Sequence, residues 1–195
     1  KELWQIINPK ALKFPIPLGN AIGGGLHSHQ FNHPTFQEFL IIPQSSSFST
    51  NVEIMKDIYS KIKNLINATR KNDEGAWETS FSEDEILSLL NQFNDIRIGI
   101  DVAASSFYKS NNYFYKKIKL NRMQQINFIN HIIEKYNIFY IEDPLEEEDF
   151  SGFSKLTAST LSMAKYRSPS FGGRIMPETV SPVLRLNFLI CDGET

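Results

Sequence analysis

A single cysteine, Cys191, stands among 195 residues. That excludes an internal disulfide and fits a reducing compartment. No apolar run reaches the roughly 20 residues of a membrane-spanning helix. The first ten residues, KELWQIINPK, lack the apolar stretch of a secretory signal. Charge of one sign is missing too: 20 Lys and Arg stand against 22 Asp and Glu, for a net charge of −2. Such a balance offers no field to nucleic acid or to an anionic membrane. A soluble, cytoplasmic protein is the expectation. With 41% hydrophobic and 22% charged residues, the composition is that of a globular chain able to bury one sizeable core.

What is present alternates between two periods. Residues 14–25, FPIPLGNAIGGG, read as a short strand entered through prolines and left through glycines. FLIIP (39–43), RIGIDVAA (97–104) and IFYIEDP (138–144) are further short apolar runs and read as strands. Amphipathic helices lie between them. Thr50 and Glu53 match a capping box, followed by Met55, Ile58, Tyr59, Ile62, Leu65 and Ile66 at helical spacing. Ser82 and Glu85 repeat that signature ahead of Ile86, Leu87, Leu90 and Phe93. Asn121 can cap a third helix, carried by Met123, Ile126, Ile129, Ile133 and Tyr136. KNDEGAWETSF (71–81) reads as a loop and YFYK (113–116) as an extended excursion. Strands alternating with helices predict an α/β architecture on a parallel sheet.

The composition then changes. Residues 1–156 hold 13 Lys, 3 Arg and 15 Asn, whereas residues 157–195 hold 1 Lys, 3 Arg and 1 Asn. The second stretch shows no helical period and one candidate strand, LNFLIC (186–191). Residue 157 is therefore read as a boundary.

Chemistry could sit in several places. Asp101 and Glu142 each end an apolar strand. Two hard oxygen donors from neighbouring strand ends suit Mg2+; each is equally the kind of acid that caps a following turn. Glu74, in NDEG, and Glu38, just ahead of an apolar strand, look ordinary on their own. GGGLHSHQFNHPTFQEF (23–39) gathers three histidines behind a glycine run. His27, His29 and His33 could hold zinc, but their spacing matches no established zinc pattern and no cysteine lies nearby. The glycines could cradle phosphate, yet the Lys-Ser/Thr ending of a phosphate loop is missing. From the residues alone this stretch stays open.

Taken together, PLGNAIGGGLH, QEFLIIP, NDEGAW, IGIDVAASSFY and YIEDPLEEEDF occur in an order and spacing that resemble enolase, most like its archaeal branch. The resemblance covers residues 1–156. It implies a partial enolase-type β/α barrel (TIM-like), about four strands with flanking helices, followed by an unassigned tail. It further implies a cytoplasmic enzyme of glycolysis and gluconeogenesis that dehydrates 2-phosphoglycerate to phosphoenolpyruvate, uses Mg2+ and assembles as a homodimer. By motif, Glu74 matches the general acid. Asp101 and Glu142 match two of three Mg2+ ligands. Gln37 and Glu38 match the substrate-site pair, and His27 matches the histidine of a mobile loop that closes over substrate.

The sequence also departs from that pattern. The GDD motif that carries the third metal ligand is absent, as are the base lysine, a second active-site lysine and the SHRSGET segment. Asn72 stands where a glycine usually precedes DEG, and Glu78-Thr79 replace the usual Ala-Pro. The chain alone is accordingly expected to be inactive, which leaves a non-catalytic, truncated homologue as the alternative. Residues 157–195 are expected to be an aberrantly joined or frame-shifted tail.

Overall fold

A computed structural model describes residues 2–7, 9–10 and 16–156, and the backbone of 184–186. Most of the tail, and with it all of LNFLIC except Leu186, lies outside the described residues. A short helix, α1 (Leu3–Ile7), comes first. The elements that position the site are strands β1 (Pro17–Gly23) and β2 (Glu38–Pro43), helix α2 (Phe48–Leu65), strand β3 (Trp77–Glu78), helix α3 (Glu83–Leu90) and strand β4 (Ile96–Asp101). After these come three short strands, β5 (Tyr108–Lys109), β6 (Asn112–Phe114) and β7 (Lys119–Asn121), then helix α4 (Arg122–Tyr136) and strand β8 (Tyr140–Glu142). Residues 150–156 are helical, and β9 (Leu184–Leu186) lies parallel to β1.

The main sheet runs β3-β1-β2-β4-β8. β2 is antiparallel to both of its neighbours, while β1–β3 and β4–β8 are parallel pairs. The expected parallel sheet is therefore corrected at one strand: β2 alone is reversed. The cause is local. Residues 24–37 join β1 to β2 without a crossover helix, so the chain turns back at the end it has just reached. Among the described residues the sheet has six strands, counting β9 beside β1, and stays open. Of the excursion at 113–116, Tyr113 and Phe114 belong to a second, three-stranded antiparallel sheet, β5-β6-β7.

Two local expectations also change. The start of α2 is capped by Ser47, whose hydroxyl accepts from Thr50 N, so Thr50 lies inside the helix. The helix begins early because Asn51 folds back on Ser45, accepting from its amide at 2.9 Å and donating to its carbonyl at 3.0 Å. The NDEG segment is not wholly loop: Asn72 N donates to Ala76 O, and the hairpin so formed delivers β3 alongside β1. The capping box at Ser82/Glu85 forms as read, and Asn121 caps α4 as read, in a box that Gln124 completes.

Alternation of side chains along the strands divides the sheet. Ile22, Phe39, Ile41, Ile98 and Ile100 point to the helical side, where Met55, Ile58, Tyr59, Ile62, Ile86, Leu87, Leu90 and Ile129 meet them in one buried cluster. On the other face Leu18, Leu40 and Ile42 form a smaller cluster with Tyr140. Gly99 lets that layer close. A Cβ there would lie 3.2 Å from the Leu40 Cβ and 3.3 Å from the Tyr140 Cβ, so a side chain would push the strands' contents apart.

Candidate active site

Register places the candidate acids. Gly23 pairs with Glu38, Glu38 with Asp101, and Asp101 with Glu142. On the far side, Gly23 also pairs with Glu78. Directly opposed residues in a sheet share a face, so one row across five strands reads Glu78, Gly23, Glu38, Asp101, Glu142. Reversal of β2 is what makes this work, because it brings the start of β2 to the end of β1 and β4. Behind the row, on the opposite face, the wholly buried Ile22, Phe39 and Ile100 fix these strand ends to the core.

Glu38 and Asp101 are buried. Asp101 accepts from Gln37 Nε2 at 3.4 Å and from the Ala103 amide at 3.0 Å. Burial, and then the charges of Glu142 and Glu38, push its carboxyl up to about 7. Like charges gathered in a poorly solvated place resist ionising together, and a bound cation would relieve them. Glu142 accepts from the Tyr140 hydroxyl at 3.1 Å. Just past the two strand ends the backbone is strained: Ala103 has φ +46 and Asp143 φ +41, both left-handed and neither glycine. Such residues cost about 1–2 kcal/mol each and gather at functional sites. Ala104 N donates to Asp143 O at 3.0 Å, stitching the two turns together.

Glu74 reaches the site from the hairpin turn. It accepts from Asn20 Nδ2 at 3.1 Å, and Asn20 lies fully buried on β1. The turn itself is set by Asn72, whose Oδ1 accepts from Glu74 N at 3.1 Å and Ala76 N at 2.9 Å. The Tyr59 hydroxyl donates to the Gly75 carbonyl from α2. A Cβ on Gly23 would strike the Asn72 amide nitrogen, so the first glycine of the run serves this turn.

The histidines part company. His27, at the end of a 3-10 turn (Gly25–His27), sets Nδ1 3.0 Å from Asp73 Oδ1 and Nε2 3.7 Å from Glu74 Oε1. His33 Nδ1 lies 2.9 Å from the Pro34 carbonyl. The glycine amides are spent inside the loop: Gly24 N donates to Gln37 O and Gly25 N to Pro34 O. They are therefore not turned outward as a phosphate cradle.

Of the residues that the sequence singles out, Glu38, Asp101 and Glu142 share one row, with Gln37, Glu74 and His27 beside it. The sequence does not single out Asn20 or Asp73, nor the roles of Asn72 and Glu78. A polar residue alternating with buried neighbours, as in Trp77-Glu78-Thr79, is the available signal. As donors, Asp101 and Glu142 are hard oxygens on adjacent strands, of the type Mg2+ takes. Among the described residues no group of three His, Cys, Asp or Glu side chains is placed to hold a metal ion. By donor type the pair suits a divalent cation; by number it falls short of such a group among the described residues.

Comparisons with known proteins bear on the same region. A family model described as the enolase C-terminal TIM barrel domain matches residues 11–164. The chain is 35% identical over 173 residues to a protein named enolase from Methanocorpusculum labreanum, covering 80% of this chain and 43% of that one. It is 38% identical over 164 residues to enolase of Pyrobaculum aerophilum (75% and 39%) and 37% over 159 residues to that of Picrophilus torridus (74% and 39%). The chain thus spans about two-fifths of the length of the curated relatives it matches.

Proposed function

The chain belongs to the enolase family, through the family's C-terminal barrel domain, and on that premise we propose that it carries the acid half of a site for dehydrating 2-phosphoglycerate to phosphoenolpyruvate. The observation that supports this most directly is the row Glu38–Asp101–Glu142 with Glu74 beside it.

The chemistry requires two proton movements. A proton next to a carboxylate must leave C2, which demands concentrated positive charge to hold the electron-rich product. Asp101 and Glu142 would hold part of the coordination of Mg2+, which would supply that charge when bound. Hydroxide must then leave C3 as water, and Glu74 provides the proton. Its position suits that role. Asn20 donates to Oε2 and so fixes the carboxyl's orientation, while Oε1 faces His27. His27, at the loop's turn, is positioned to follow substrate and shield Glu74 from solvent. Gln37, joined to Asp101, borders the ground over which the substrate lies, and the buried Glu38, between Asp101 and Gly23, adds its carboxyl beneath it.

The base that takes the C2 proton is not among the residues of this row. On this reading the chain alone binds Mg2+ through Asp101 and Glu142 but does not turn substrate over. Among the described residues no helix is long and apolar enough to cross a membrane, and a cytoplasmic, glycolytic setting follows from the proposed reaction. A non-catalytic homologue is the second reading, supported by the Asp101–Glu142 pair having no third donor grouped with it among the described residues. Calorimetric titration with Mg2+ tests the proposal. Binding should be lost in Asp101→Asn, and no phosphoenolpyruvate should form from 2-phosphoglycerate even in excess Mg2+. Absence of Mg2+ binding sinks the acid-half reading. Turnover that Glu74→Gln abolishes would show instead that the chain is catalytically complete.

A further inference from the structure

Glu78 stands at one end of the acid row, yet the proposed reaction makes no use of it. It is 2% exposed. Its Oε1 accepts from the His29 amide at 2.6 Å and from the Ser28 hydroxyl at 3.4 Å. Its Oε2 is buried and, among the described residues, accepts no hydrogen bond. Burying a carboxylate is costly, and leaving one oxygen unsatisfied adds to the cost. An apolar residue between Trp77 and Thr79 would serve the core better. What the carboxylate gains is a grip on the loop.

The loop leaves β1 at Gly23, the register partner of Glu78, and passes back over it two residues after His27. The same hairpin holds the loop at two further points, since Asp73 and Glu74 meet the two nitrogens of the His27 ring. Asp73 is exposed and Glu74 is reached only at 3.7 Å, so neither fixes the loop firmly. A charge-assisted bond of 2.6 Å to the backbone does. We propose that Glu78 is a positioning residue: its buried carboxylate latches the His29 backbone amide, and beside it the Ser28 hydroxyl, to β3 and thereby holds the His27 ring against Glu74.

The importance of that position for catalysis rests on the function proposed above, but the latch itself does not. Amide exchange and side-chain NMR of the whole chain, without Mg2+ or substrate, therefore test it separately. In the wild type the His29 amide should exchange at least tenfold slower than an unstructured amide, although His29 is exposed. Glu78→Leu, of similar volume and without an acceptor, should raise that rate tenfold or more and move the His27 ring resonances. Amides of Ile98 and Ile100 in β4 should stay protected. Glu78→Gln, which keeps one acceptor oxygen, should restore both signals. An unprotected His29 amide in the wild type overturns the latch whether or not any variant folds. So does an unchanged His27 signature in a folded Glu78→Leu chain.

Discussion

The acids of the site are held in two different ways. Glu38, Asp101 and Glu142 stand on strands, and their mutual placement is a consequence of backbone ladders and of the apolar layer behind them. Glu74 and His27 stand on a turn and a loop, where placement depends on individual side chains: Asn20, Asn72, Asp73 and Glu78. The first arrangement is cooperative and fails only with the fold. The second is an assembly of separate contacts and can be undone piece by piece while the fold persists. Motifs of both regions lie within the stretch that matches the family, and Asn72 and Glu78-Thr79, which stand out in the sequence as unusual, lie in the second. Breaking each region in turn should expose the difference.

The largest effect belongs to the strand side. Ile100 is fully buried and lies next to Asp101, pointing the other way. Ile100→Ala should cost about 2–5 kcal/mol of stability through lost burial and the cavity left behind. Urea denaturation reads it. A loss under about 1 kcal/mol, well below that range, would mean that the acid row is not anchored through this layer.

Next comes the electrostatic cost of the row. The carboxyl of Asp101 rises from 3.8 to about 7 on folding. Between those values the folded chain binds more protons than the unfolded one, so stability falls as pH rises from about 4 to 7 and levels off above. The full shift sets a ceiling of about 4 kcal/mol, and solvent screening brings the expected loss to about 2 kcal/mol. Asp101→Asn should flatten the slope and stabilise the chain at pH 8. Mg2+ should stabilise the wild type at pH 8 more than at pH 5, because the cation needs the ionised pair. A pH profile identical in wild type and Asp101→Asn would contradict the clustering.

This contrast also explains what could be read in the sequence. An acid that closes an apolar run, as in RIGID and FYIED, announces both a strand and its end, so Asp101 and Glu142 were legible. Ile86, Leu87 and Leu90 announced α3 in the same way. The reversal of β2 was not legible, since FLIIP has no direction; only the helix-free loop before it hints at the turn back. Ser47 was hidden among Ser45, Ser46 and Ser49, and Asn51 decided between them through a bond to Ser45 that helical spacing does not encode. Asn20 and Glu78 were illegible for a deeper reason. Their partners lie about fifty residues away in sequence, at Glu74 and at Ser28 and His29, and approach only when β3 docks on β1.

Gly23 is where the two regions meet, being in the row by register and under the turn by contact. A methyl group there would collide with the Asn72 amide, which is held by two hydrogen bonds from Glu74 N and Ala76 N. Gly23→Ala should cost about 1–3 kcal/mol as overpacking. Its signature should be local: the Glu74 and Ala76 amides should lose protection before those of β4. Equal loss across the sheet would mean that the turn is not a separate unit.

The smallest global effect should come from the far side of the loop. Lys116, beyond β6, donates to Asn32 Oδ1 at 3.0 Å and to the His33 carbonyl, tying the second sheet to the loop tip. Partial desolvation of its ammonium lowers its pKa, and the nearby Glu83 opposes that shift. The residue is exposed, and both of its acceptors can turn to water when it is removed. Lys116→Met should therefore change stability by no more than about 1 kcal/mol, within the error of most denaturation curves. Amide exchange in residues 31–35 should nevertheless rise severalfold, while Glu38 and Phe39, just beyond them on β2, keep their protection. If exchange rose along β2 as well, the loop and the strand would be one cooperative unit, and the division between the two kinds of acid placement would not hold.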